Sequence, residues 1–230
     1  MASHQQIAGV TDEDLVQRMI NSHDDRFDAI FRQFFTEDIE PPLPASPVIL
    51  DLGCGPGLFL RDVAQRIEGG QLHGFDLTPA MIDYARNQVS YGAANAKFSV
   101  LDLTAAPVPL PDASVDLVAM TAVLHVLDDP LQACAELKRL LAPGGTFLLF
   151  DWIKQPLEKY MQMMMANVPP ERAAVMEKAM MRLSVAHNKY EVEDWIWLLE
   201  KGGFEVVVHQ QLRSEHFHAF VCQAQGESAG

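Results

Sequence analysis

The sequence predicts an α/β domain, one mostly parallel β-sheet with helices on both faces. Three observations carry this reading. Between Val48 and Asp151, short apolar runs alternate with segments of helical spacing. Gly- and Pro-rich turns mark the changeovers, as at Gly53-Cys54-Gly55-Pro56-Gly57 and Pro143-Gly144-Gly145. Of the 230 residues, 49% are hydrophobic, which suffices for one substantial core.

Two helical patterns open the chain. Thr11 with Asp14 reads as a capping box before Leu15, Val16, Met19 and Ile20. Ser22 with Asp25 repeats the signal before Phe27, Ile30, Phe31, Phe34 and Phe35. Pro41, Pro42, Pro44 and Pro47 then make a stiff linker, since each fixes its φ and lacks a donor. Residues 1–46 therefore form an expected helical cap and linker. Strands are expected at Val48–Leu52, Gln71–Leu77, Lys97–Leu103, Val115–Thr121 and Gly145–Asp151. The helices between them are expected at Leu58–Ile67, Pro79–Val89 and Pro130–Leu141. Such alternation requires crossovers and hence parallel strands over residues 47–151. The stretch 152–190 interrupts the alternation and is rich in methionine, which predicts an inserted helical pair at the sheet's carboxyl edge. Residues 191–230 complete the domain with a helix, Glu191–Lys201, and an antiparallel hairpin of Phe204–His209 and His218–Ala224.

The formal charge of −14 disfavours phosphate backbones and anionic membranes as partners. No apolar run approaches the roughly 18 residues of a membrane span, and no basic-then-apolar leader opens the chain. Three widely spaced cysteines, Cys54, Cys134 and Cys222, suit a reducing compartment better than a disulfide framework. A cytoplasmic protein, monomeric or homodimeric, is the expectation.

The end of the first strand, Asp51-Leu52-Gly53-Cys54-Gly55-Pro56-Gly57, carries the chemistry. Alternate glycines allow a tight turn and a close ligand approach to the backbone. The helix that follows offers unpaired N–H groups. Asp76 ends the second strand, nineteen residues past Gly57, where a carboxylate can accept from a ribose diol. Two adenosine cofactors fit that much. Nicotinamide dinucleotides prefer G-x-G-x-x-G, and Leu58 stands where that pattern has its last glycine.

In these segments the chain resembles the class I S-adenosylmethionine-dependent methyltransferases, in particular their small-molecule, quinone-biosynthesis-like branch. The matching residues are Val48–Gly57, Gly74–Met81, Leu101–Leu103, Leu110–Val118 and Leu140–Gly145, in order. The resemblance implies a Rossmann-like, seven-stranded, mostly parallel sheet with its last strand antiparallel. It implies S-adenosyl-L-methionine as methyl donor. Asp51, Gly53, Gly55 and Gly57 would surround the methionine portion, with Asp51 near its amino group. Asp76 would hold the ribose, Leu77 and Met81 would border the adenine, Asp102 would accept from its amino group, and Leu103 would meet a ring nitrogen. Thr121 would offer its backbone to the methionine end.

Methyl transfer is an in-line displacement and needs no obligatory catalytic signature beyond placement. A base is needed only for a protonated acceptor. His125, four residues beyond Thr121, is the expected base, because imidazole titrates near neutrality and the family often has histidine there. Asp151 and Trp152 end the fifth strand at the same edge. His187, Tyr190, His209, His216 and His218 form a looser group with little metal-site character. The expected acceptor is small and fairly apolar, with aromatic molecules among the candidates, and is methylated on oxygen or nitrogen. The methionine-rich insert and the N-terminal phenylalanines are expected to form a lid over it, so that truncating residues 1–36 would spare folding. Competing readings are a cyclase or decarboxylase on the same scaffold, a non-catalytic binding module, and a nicotinamide oxidoreductase.

Overall fold

The computed structural model describes residues 11–226. Among them, seven strands form one sheet in the order β3-β2-β1-β4-β5-β7-β6. The strands are β1 Val48–Leu52, β2 Gln71–Asp76, β3 Asn95–Val100, β4 Val115–Thr121, β5 Leu141–Trp152, β6 Phe204–Gln211 and β7 Phe217–Ala224. β1 to β5 run parallel, and β7 lies antiparallel between β5 and β6. The fold class therefore stands as the sequence implied.

Side-chain alternation explains why both faces are covered. Ile49 faces one core with Leu148, Phe150 and Trp152. Leu50 and Leu52 face the other with Phe147 and Leu149. Helices α4 (Leu58–Ala64) and α5 (Pro79–Gln88) cover the first face. Helices α6 (Pro130–Leu140) and α9 (Val192–Lys201) cover the second, burying Cys134, Leu137, Trp195 and Leu199. The cysteines are free and buried.

Some elements differ from expectation. β3 begins at Asn95 and ends at Val100 rather than running from Lys97 to Leu103, because Asp102 opens a side-chain turn with Thr104 that takes the chain off the ladder. Crossover from β3 to β4 is made without a helix, which leaves a cavity of about 350 Å³ between residues 103–107 and α6. The second N-terminal helix is split into α2 (His23–Arg26) and α3 (Ala29–Phe34). Ser22 makes no side-chain cap, whereas Asp28 accepts from the Phe31 N–H at 2.9 Å and caps α3. The preceding helix, α1 (Asp12–Asn21), does have the expected Thr11–Asp14 capping box.

The N-terminal phenylalanines belong to the main core. Phe27, Phe31, Phe34, Phe35 and Ile39 are buried, and Phe31 meets Phe150 of the sheet with centroids 5.3 Å apart. This corrects the expectation that residues 1–36 are dispensable for folding. The insert forms the expected helical pair, α7 (Leu157–Met165) and α8 (Ala173–His187). Its Met161, Met163, Met164, Met165 and Met176 pack along the rim of the same core, and Met180 is buried in it.

Candidate functional site

The ends of β1, β2, β4 and β5 share one edge, since these strands run parallel in register. The turn after β1 is held against β2 by two donors, Gly53 N–H and Cys54 N–H, both to the Phe75 carbonyl. Gly53 and Gly57 are each fixed as glycine by φ and by space. Their φ angles are +77° and +75°. A Cβ on Gly53 would lie 2.2 Å from Val123 Cγ2, and one on Gly57 would lie 2.2 Å from Tyr91 Oη. Gly55 is different: its φ is +52°, yet a Cβ there would meet nothing within 4 Å. Open space over a left-handed residue is what a ligand's approach to backbone requires.

Asp76 organises this turn. It accepts from Gly55 N–H at 2.9 Å and from Thr78 N–H at 2.8 Å. Burial raises its pKa, and these two bonds oppose the rise. Beside it, Asp51 is buried, and its Oδ1 has no hydrogen-bond partner among the described residues. Burial, then the neighbouring Asp76 charge, push its pKa up to about 8, against the pull of Arg26.

Arg26 was not anticipated from the sequence. It comes from α2, donates from Nη2 to the Met19 carbonyl at 3.1 Å, and has a buried Nε without a partner. Burial and then the Arg213 charge lower its pKa to about 10, while Asp51 opposes the drop. So an uncompensated carboxyl and an uncompensated guanidinium stand near one another without pairing directly.

The adenine-side residues are less uniform. Leu77 is 40% exposed at the edge. Met81 is buried under α1 against Leu15 and Val16. Asp102 Oδ1 accepts from both Thr104 N–H and Thr104 Oγ1, at 2.9 and 2.7 Å. Leu103 lines the 350 Å³ cavity.

At the other end of the edge, Thr121 ends β4, and Ala122 turns the chain with φ +58° while donating to the Phe150 carbonyl. A non-glycine residue in that region is held there by its surroundings. The turn places His125 beside the end of β5. His125 Nδ1 lies 2.7 Å from Asp151 Oδ1, off the line of a straight hydrogen bond. Asp151 also accepts from the His125 and Trp152 backbone N–H groups. Trp152, His187 and Tyr160 complete a buried cluster around His125. The remaining histidines do not converge. His209 Nε2 and His218 Nδ1 are 2.8 Å apart on the β6–β7 hairpin, and burial followed by the His209 charge brings His218 down to about 4.

Residues 50–149 match a family described as "Methyltransferase domain". That match takes in β1 to β5 up to Leu149. The match ends three residues before the buried Trp152 and so excludes the N-terminal helices, the insert and the hairpin. Over 151 residues, or 61% of its length, the chain is 31% identical to the trans-aconitate 2-methyltransferase of Methylobacterium radiotolerans, covering 55% of that protein. It is 29% identical to the malonyl-[acyl-carrier protein] O-methyltransferase of a Paenibacillus species, over 72% of this chain and 58% of that one. The chain thus spans a little over half the length of these curated relatives. The fold extends beyond the domain. A crystal structure of a SAM-dependent methyltransferase from Aquifex aeolicus superposes with a TM-score of 0.66 at 22% identity, covering 92% of this chain and 97% of that one.

Proposed function

We propose that the protein transfers the methyl group of S-adenosylmethionine to an oxygen or nitrogen of a small, mostly apolar acceptor. One observation carries this reading: Asp51 Oδ1 and Arg26 Nε are both buried without a hydrogen-bond partner among the described residues, and their charges act on one another. Buried unpaired charge is costly, and a fold gains nothing by leaving it so. A ligand end with both an ammonium and a carboxylate satisfies both groups at once, and the methionine end of S-adenosylmethionine is such an end. Gly55 N–H and Asp76 form the neighbouring wall, where Asp76 keeps acceptor capacity for ribose hydroxyls beyond its two backbone bonds. Leu77, Met81, Asp102, Leu103 and Thr121 are the further candidates along the same edge.

Bound S-adenosylmethionine supplies a methyl group on a sulfonium, ready for attack. The chain's own part is to place the acceptor and to exclude water. His125 is the proposed base for a protonated acceptor, with Asp151 keeping the ring proton on Nδ1 and the opposite nitrogen as proton acceptor. Trp152 and the methionine rim of α7 and α8 supply an apolar, adaptable surface for the acceptor body. Because the chain covers only part of its curated relatives, their acceptors are not carried over.

Thermal shift tests the cofactor reading directly. S-adenosylhomocysteine at a hundredfold excess over Kd should stabilise the protein by about 2.7 kcal/mol, and NADH should not. A shift with NADH alone would replace the reading with a dinucleotide enzyme.

A further inference from the structure

His125 sits in a short 3₁₀ turn, Leu124–Val126, and its contact with Asp151 is off-line. Two rings pack edge-to-face against it: Trp152, with centroids 6.4 Å apart, and, closer, His187, with its centroid 5.4 Å from that of His125 and an interplanar angle of 71°. His187 is itself fixed on two sides. It stacks flat on Trp152 at 4.4 Å and 12°. Its Nδ1 is 2.9 Å from Tyr160 Oη.

Tyr160 decides the tautomer. Its hydroxyl is buried, and His187 Nδ1 is its hydrogen-bond partner among the described residues. Burial raises its pKa well above the ordinary value, so it keeps its proton. A buried O–H left without an acceptor is costly. The hydroxyl therefore donates to Nδ1, and the proton of neutral His187 sits on Nε2. The base of α8 is also clamped to β5: Asn188 Oδ1 accepts from Gln155 N–H at 2.6 Å, and Asn188 Nδ2 donates to the Gln155 carbonyl at 2.6 Å. This clamp adjoins His187 on one side and lies three residues past Trp152 on the other.

We propose that His187, locked by Tyr160, is a positioning residue that sets the ring of His125 against Asp151. The insert then does more than cover the acceptor, because α8 carries a ring that packs on the proposed base. The inference rests on the reading of His125 as the base, but its test does not require a known acceptor.

The test uses the full chain labelled with ¹⁵N-histidine and long-range ¹H–¹⁵N spectra, which report each ring's tautomer. In the wild-type protein His187 should be the Nε2–H form and His125 the Nδ1–H form, each as a single sharp species. Tyr160→Phe removes one oxygen; it should give mixed His187 tautomers and broadened His125 signals, while S-adenosylhomocysteine affinity stays within about twofold. His187→Phe keeps a ring against Trp152 and should broaden His125 likewise. A wild-type His187 carrying its proton on Nδ1 overturns the proposal without need of any variant. So do His125 signals unchanged in both variants. Loss of S-adenosylhomocysteine binding by the wild-type protein would instead strike the cofactor reading and leave the tautomer result standing.

Discussion

Asp51→Asn isolates the buried charge at the head of the site. In the unfolded chain Asp51 is expected to titrate near 3.8, and in the folded chain its pKa is about 8. A raised carboxyl pKa means that the folded state holds a proton which the unfolded state has lost. Between those values wild-type stability therefore falls as pH rises, by about 1.4 kcal/mol per pH unit at most. Asparagine is neutral throughout and removes that slope. From pH 6 to pH 7.5 the variant should gain roughly 2 kcal/mol relative to the wild type, read from urea unfolding at the two pH values. Binding gives the complementary signature. If Asp51 ionises to meet an ammonium, S-adenosylhomocysteine should release about 0.9 of a proton at pH 7, measured by calorimetry in buffers of different ionisation enthalpy. Asp51→Asn should abolish the release and weaken binding by about 10- to 100-fold, the loss of one charged hydrogen bond. Parallel stability–pH curves for the two proteins would refute the burial argument. Proton release that persists in the variant would refute the assignment to Asp51.

The glycines separate structure from binding. Gly57→Ala meets Tyr91 Oη and Ala85 at φ +75° and should cost at least about 3 kcal/mol in urea unfolding. Gly55→Ala, in open space, should cost only about 1 kcal/mol of strain but loosen S-adenosylhomocysteine tenfold or more; equal effects at both positions would sink this distinction. Deleting residues 1–36 removes four buried phenylalanines, each worth about 3–5 kcal/mol, against a total stability of about 5–15 kcal/mol. The truncated chain should show no cooperative melt by circular dichroism; a melt within about 5 °C of the parent would mean that the aromatic cluster is dispensable.

The sheet was legible because parallel, doubly covered strands leave a simple trace: short apolar runs alternating with helical spacing. The turn after β1 was legible for a related reason. Left-handed φ and close approach leave few residue types besides glycine, so Gly53, Gly55 and Gly57 mark geometry directly. Capping was legible at Thr11 and misleading at Ser22, which makes no side-chain cap; Asp28, six residues later, caps α3 instead. Arg26 and Tyr160 were not legible as site residues. Each acts on a distant segment, Arg26 through its charge on Asp51 and Tyr160 through its hydrogen bond with His187, and no local pattern encodes such a meeting. His125, Asp151, Trp152 and His187 were each visible singly; their convergence was not, because it depends on how α8 returns over the end of β5.

The two ends of the edge differ in a way that bears on recognition. At the β1 and β2 end the structure leaves polar groups unanswered, with Asp51 Oδ1 and Arg26 Nε both orphaned. At the β4 and β5 end Asp151 is surrounded by donors, and the rings about it are packed on one another. A site with unanswered charges selects its ligand by electrostatic complement, whereas one already satisfied selects by shape and by what it excludes. The proposed cofactor, identical in every turnover, suits the first kind of recognition. The proposed acceptor, small and mostly apolar, suits the second. It follows that binding of S-adenosylhomocysteine should respond strongly to pH and to single charge changes. Choice of acceptor should respond instead to side-chain volume along Trp152 and the methionine rim of α7 and α8, so that a screen of acceptors on volume variants there would move specificity without moving cofactor affinity.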